Sequence, residues 1–267
     1  MAGELDYLGF VASESARFAE ALREAAPDAP VPSCPDWTAD DLLWHLTEVQ
    51  WFWGTIVRKQ LTEAAQVEAL EIGVRPIDHR AMFAFYARVS QDLSELLAST
   101  TPETPVWTWA DDHSVGFIRR RQAHEALIHR VDAELAAGNR TAMDADLSSD
   151  GVDEVLRVMF GGVPPWGEFT PTPEHTVRFR TTDTEQTWLV TLGRFVGVDP
   201  DSGTDVDEAD IRVAAVDDGR PAAAVVSAAA ADLDCWLWSR PAVGPVDRDG
   251  DAKVLARFDA TIAQGIN

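Results

Sequence analysis

The sequence predicts an α+β protein, with a four-helix bundle in its first half and a smaller α+β domain with an antiparallel sheet after it. Three observations carry this reading. Before Gly138, four segments of about 20 residues place apolar side chains at three- and four-residue steps, the period of an amphipathic helix. After Gly138 the period becomes two: His175–Thr181 and Thr187–Leu192 alternate around a polar turn, the pattern of a hairpin. The chain has 267 residues, enough for two domains of ordinary size, which the change of texture places at 1–140 and 150–267.

The first helix, residues 4–25, carries Leu5, Leu8, Val11, Phe18 and Leu22 among acids and alanines. The prolines at 27, 30 and 32 end it, because each lacks a donor and restricts its predecessor. Thr38 opens a second helix that runs to about Lys59, with Asp41 three residues on to complete a capping box. His45, Val49 and Phe52 share its inward face. After a connection around Gly73–Pro76, Asp78–Ser99 forms the third helix, with Met82, Phe83, Tyr86, Val89, Leu93, Leu96 and Leu97 on its apolar side. Pro102–Pro105 interrupts, 106–114 is a linker, and 117–137 is the fourth helix, closed by Gly138 as a left-handed cap.

In the second domain Asp153–Phe160 reads as a short helix before a Gly/Pro/Trp loop at 161–167. Asp199–Asp210 is acidic and Gly-containing and reads as a solvated loop; it lacks the ligand spacing and terminal Glu of an EF-hand calcium loop. Ile211–Ala215 and Ala222–Val226 add strands. Ala228–Arg240 and Ala252–Gln264 are helices, with Arg240 on the last turn of the former. Helices segregated from an antiparallel sheet give the α+β class.

Lys and Arg number 22 against 45 Asp and Glu, a net charge of −23. That disfavours nucleic acid as a partner, since phosphate binding needs a basic surface, and it serves solubility. The two cysteines, Cys34 and Cys235, stand far apart in unrelated contexts, which argues against a disulfide framework and for a reducing compartment. Cys34 reads as a half-buried loop cysteine, with a reactive thiol as the alternative. The N-terminus shows no basic region leading into an apolar run, and no stretch of 18 apolar residues occurs, so a cytoplasmic protein without a membrane partner is expected.

The chemistry concentrates on the fourth helix. At about 100° per residue, Glu125 and His129 lie about 40° apart, and Asp132 falls on the same stripe. One reading is a solvated face stabilised by polar pairs one turn apart. The other is a metal site completed by His45 from the second helix, since two imidazoles and one carboxylate match the ligand set of catalytic zinc sites with a fourth position open. Iron, nickel and manganese suit such ligands too. Asp132 then orients a ligand or accepts a proton from a metal-bound group, or else pairs with a neighbouring Arg at the surface. His124, about 140° round the helix from His129, packs and does not share the ion.

Five segments carry a resemblance to a known family: Cys34-Pro35-Asp36-Trp37-Thr38, Asp41-Leu42-Leu43-Trp44-His45-Leu46, Arg121-Gln122-Ala123-His124-Glu125, His129-Arg130-Val131-Asp132-Ala133-Glu134 and Ala231-Asp232-Leu233-Asp234-Cys235-Trp236-Leu237-Trp238-Ser239-Arg240. Together they resemble the mycothiol-dependent maleylpyruvate isomerase family over nearly the whole chain. The resemblance implies a DinB-like bundle as the first domain. It implies a divalent metal, usually zinc, on His45, Glu125 and His129 with Asp132 close by. It further implies mycothiol as a low-molecular-weight thiol cosubstrate, and a small electrophile as substrate. In the isomerase, the thiolate adds to the conjugated double bond of maleylpyruvate, the bond rotates, and elimination gives the trans isomer; related bundles transfer the thiol onto an electrophile. Either reaction calls for a cation beside an anionic substrate or developing enolate. Arg240 is the candidate if the cleft between the domains faces the metal; otherwise it is a charge complementing a helix C-terminus. Trp44, Trp51, Trp53, Trp107 and Trp109 would suit a larger apolar electrophile as well as a small acid, which keeps isomerase and transferase both open. A non-catalytic metal sensor or partner-binding module on the same bundle is the competing class.

Overall fold

The computed structural model of the protein describes residues 5–200 and 202–264. The chain forms two compact units that divide between Ala142 and Met143. Glu4, where the first helix was expected to start, and Asp201, inside the expected acidic loop, lie outside the described residues. Among the described residues, no helix is long and apolar enough to cross a membrane.

The first unit is a bundle of α1 (Tyr7–Glu24), α2 (Ala39–Lys59), α4 (His79–Ser99) and α5 (Val115–Ala137), with a hairpin of β1 (Pro30–Val31) and β2 (Cys34–Thr38) between α1 and α2 and a short α3 (Ala64–Glu68) after α2. The sequence pattern showed neither the hairpin nor α3, because two- and five-residue pieces carry too few residues to display a period. The caps are those the sequence indicates. Thr38 Oγ1 accepts from Asp41 N–H at 3.2 Å and Asp41 Oδ2 accepts from Thr38 N–H at 3.0 Å, a complete capping box. The Thr38 hydroxyl, which also donates to Asp41 Oδ2 at 2.6 Å, and the Thr38 N–H, with Arg75 beside them, hold the Asp41 carboxyl down at a pKa of about 2. Gly138, at φ 70°, ends α5.

Helix directions follow from which residues meet. Tyr7, Glu14 and Arg17 of α1 face His124, Arg130 and Glu134 of α5, so these two run parallel. Asp40, Trp44 and Arg58 of α2 face His79, Phe85 and Asp92 of α4, a second parallel pair. The 60–78 connection is therefore a crossover, one of the long links known in helix bundles. Phe18, Leu22, Val31, Leu42, Leu43, Leu46, Met82 and Tyr86 form one continuous core at the end of the bundle near the hairpin.

The second unit begins with α6 (Ala145–Glu154), which passes into a π-helical turn at Val155–Phe160; the short helix expected at 153–160 is the end of this longer segment. A five-stranded sheet follows, in the order β5-β4-β3-β6-β7, from β3 (Gly167–Thr181), β4 (Thr187–Val198), β5 (Asp205–Val213), β6 (Ala224–Ala228) and β7 (Asp247–Gly250). The sheet is mixed. Three of its pairings are antiparallel as expected, whereas β3 and β6 run parallel, Val177 beside Ala224 and Phe179 beside Val226. A hairpin is encoded by its local turn; the direction of β6 depends on where the 214–223 connection returns the chain, which no local pattern states. The register of β3 against β4 breaks between Pro171 and Thr176, where Pro171 and Pro173 have no N–H to offer.

The acidic stretch is also corrected. Asp205–Asp210 is not loop but the first part of edge strand β5, whose side chains are mostly solvated while its backbone pairs with β4. Acids along an edge strand discourage further pairing. β7, Asp-Arg-Asp-Gly and wholly exposed, forms through backbone bonds to β6 and has no apolar signature to read. One sheet face, with Val177, Phe179, Val190, Leu192, Ile211 and Val226, packs with α6, α7 (Ala230–Leu237) and α8 (Ala252–Ile262) into a single core.

Replacing Thr38 by Ala is expected to lower stability by about 1 kcal/mol, and by Ser to retain nearly all of it, since only the hydroxyl makes the cap. Urea unfolding monitored by helical circular dichroism measures both.

Candidate metal centre

α5 is the most buried helix of the first unit; Arg121, Gln122, His124, His129, Arg130, Asp132 and Glu134 are all buried along it. Glu125 and His129 are one turn apart, and His45 of α2 meets them. His129 Nε2 lies 3.1 Å and His45 Nε2 3.6 Å from Glu125 Oε1, and the two imidazole rings are 4.8 Å apart, edge to face. One ligand atom from each of the three falls within 4.8 Å of the others. Metal–nitrogen bonds of about 2.0–2.1 Å at tetrahedral angles set ligand atoms about 3.4 Å apart, so the donor set and its spacing fit a divalent ion with small adjustments.

The surroundings prepare each group. Arg121, one turn before Glu125, donates to Glu125 Oε2, which leaves Oε1 for the imidazoles. Burial works against charge on Glu125, yet Arg121 and the hydrogen bonds from both histidines hold its carboxyl well below the ordinary carboxylate range. Burial likewise disfavours protonated His129, but the bonds to Asp132 and Glu125 outweigh it and raise its pKa to about 9. His129 Nδ1 lies 2.9 Å from Asp132 Oδ2; donating there directs Nε2 toward Glu125 and His45. Asp132 has no exposed surface, which removes the surface ion pair as its role. Its other oxygen, Oδ1, accepts from Ser33 Oγ at 2.5 Å.

The aromatic partner of the imidazoles is Trp37, with ring centres 4.6 Å from His45 and 6.4 Å from His129. Of the tryptophans near the ligands in sequence, Trp44 stacks with Phe85, Trp53 with Trp107, and Trp109 meets Phe117 edge-on. His124 packs against Tyr7, away from the cluster. Arg240 belongs to the second unit and lies beyond its helix, not on the last turn. α7 ends at Leu237, Ser239 takes a left-handed φ of 60°, and Pro241 disfavours helical geometry at residue 240. Its guanidinium donates to Trp238 O at 2.7 Å and its N–H to Cys235 O at 2.7 Å.

Three residues escaped the sequence reading. Arg121 was legible, as a cation one turn from Glu125. Trp37 lies in the Cys34–Thr38 segment, which by itself carries no sign of which ring it touches. Ser33, 99 positions from Asp132, had no signal at all.

Two family models match this chain: the mycothiol maleylpyruvate isomerase N-terminal domain over residues 10–134, and the MDMPI C-terminal domain over residues 146–257. The chain belongs to the mycothiol maleylpyruvate isomerase family. No curated protein and no solved structure matches it. His45, Glu125, His129 and Asp132 fall within the first matched region and Arg240 within the second.

A metal held by His129 Nε2 would displace its proton, so apparent zinc affinity is expected to rise about tenfold per pH unit from pH 7 and to level off near pH 9, where His129 in the metal-free chain loses that proton unaided. Chelator-buffered zinc titrations across this range read the slope. His45→Ala should abolish the bound equivalent; unchanged metal content in that variant removes His45 from the site.

Proposed function

We propose that this protein is a divalent-metal- and mycothiol-dependent enzyme, either a cis-trans isomerase of the maleylpyruvate type or an S-transferase acting on a related electrophile. The supporting observation is the convergence of His45, Glu125 and His129 from two helices onto one point, in a chain of this family. In this reading these three hold the ion, with zinc the best match to two imidazoles and a carboxylate. A bound divalent cation supplies the positive charge that lowers a thiol's pKa and makes thiolate available near neutral pH.

The chain's own groups do the rest. Asp132 keeps a proton on His129 Nδ1, so that Nε2 presents a lone pair. Arg121 holds Glu125 ionised and fixes which oxygen faces the histidines. Trp37 covers one side of the imidazoles with an apolar ring, limiting the water that competes for the site. Arg240 is assigned to the carboxylate of an anionic substrate or the enolate that develops on thiol addition. Cys34 and Cys235 are not joined in a disulfide.

Purified zinc-loaded protein is expected to convert maleylpyruvate, or to conjugate a simple aryl electrophile, only when mycothiol is present. Glu125→Gln should lower turnover by more than about 100-fold, beyond the loss that follows removal of an outer hydrogen-bond partner. Arg240→Ala should raise KM for a carboxylate substrate by about 10- to 100-fold, the worth of a hydrogen bond to a charged group, and leave metal content intact. Full zinc occupancy with no mycothiol-dependent turnover of either substrate type would favour the non-catalytic metal-binding module instead.

A further inference from the structure

One short element touches both helices that carry the ligands. β1 and β2 pair Val31 with Cys34 across a tight turn at Pro32–Ser33. The hairpin is tied at its base by Ala39 N–H to Ala29 O at 2.8 Å and Asp40 N–H to Pro27 O at 3.0 Å, and its Val31 is sealed in the bundle core. From that fixed base it sends one side chain to each ligand helix. Trp37 lies against His45 on α2, and Ser33 donates to Asp132 on α5.

The Ser33 bond bears on the direction of a ligand. Asp132 is fully buried, and its two oxygens face different partners: Oδ2 the His129 imidazole, Oδ1 the Ser33 hydroxyl. The last torsion of an Asp side chain is broad and roughly two-fold, so each bond to its oxygens narrows the carboxylate plane. The Ser33 bond is one of these, on the oxygen away from His129, and the imidazole is aimed accordingly.

We infer that Ser33 is a positioning residue of the metal centre, whose hydroxyl fixes the Asp132 carboxylate and through it the direction in which His129 Nε2 points. This rests on the reading of His45, Glu125 and His129 as metal ligands and deepens it: the loop between the first two helices belongs to the centre, through a hydroxyl rather than through bulk.

Cobalt(II) titration of the full chain, followed by the visible absorption of the bound ion, tests this on the parent, Ser33→Ala, Ser33→Thr, Asp132→Ala and the Ser33→Ala/Asp132→Ala double variant. The expected result is one cobalt bound by the parent, about tenfold weaker binding with a shifted absorption band in Ser33→Ala, and near-parent behaviour in Ser33→Thr. Once Asp132 is absent, losing Ser33 should cost nothing further, because the two act in series. Ser33→Ala indistinguishable from the parent in affinity and band overturns the assignment, as does a Ser33→Thr no better than Ser33→Ala. Losses that multiply in the double variant place the effect in hairpin packing and overturn it as well. Should Asp132→Ala fail to fold, the Ala and Thr variants at position 33 decide alone. A parent chain that binds no cobalt overturns the ligand reading itself, and the role of Ser33 with it.

Discussion

A charge taken out of water must meet an opposite charge or a set of hydrogen bonds, and in this protein that constraint falls mainly on one helix. α5 carries ionisable groups on nearly every side, yet most of it is buried. Each group therefore has a partner drawn from another element or from the next turn. Arg130, with no exposed surface, pairs with Glu14 of α1 at 2.5 Å and with Glu134 at 2.9 Å, and donates to Thr141 at 2.7 Å. Glu125 takes Arg121 and the two histidines; His129 takes Asp132, and Asp132 takes Ser33. The arrangement of α1, α2 and the β1–β2 hairpin around α5 satisfies these requirements as much as it buries apolar surface.

The same constraint explains why a metal suits the cluster. Arg121 and both imidazoles keep the buried Glu125 carboxylate ionised, so it could serve as an anionic ligand to a divalent cation. The local charges thus set an ionised carboxylate beside two imidazoles. They also separate two kinds of buried polar group on one helix: the Arg130 pairs are closed among themselves and hold α1 to α5, whereas the Glu125 and His129 pairs leave atoms pointing at His45.

In the second unit the organising requirement is backbone pairing. β5 and β7 lie at the two edges of the sheet, with Asp205, Asp207 and Glu208 along one and Asp247, Arg248 and Asp249 along the other. The exposed acids of these two strands stand where charge costs little, in water at the sheet margins, and where it opposes edge-to-edge association. The inner strands carry the apolar residues that α6, α7 and α8 cover.

What the sequence by itself determined is what a single element can display. The four long helices, the Thr38 capping box, the Gly138 cap and the β3–β4 hairpin follow from period, cap chemistry and turn residues, all encoded within a few positions. The shared stripe of Glu125, His129 and Asp132 is equally local, since helical geometry alone aligns them. Tertiary structure decided whether that stripe faces solvent or another helix, because burial depends on neighbours the stripe does not contain. It decided that His45 meets Glu125, that Trp37 and not Trp44 lies on the imidazoles, and that Ser33 reaches Asp132 from 99 positions away. It also decided that β6 runs parallel to β3, and that an acidic run pairs as β5 and not as loop. In each case the energy lies in a contact between segments, and periodicity within either segment carries no record of it.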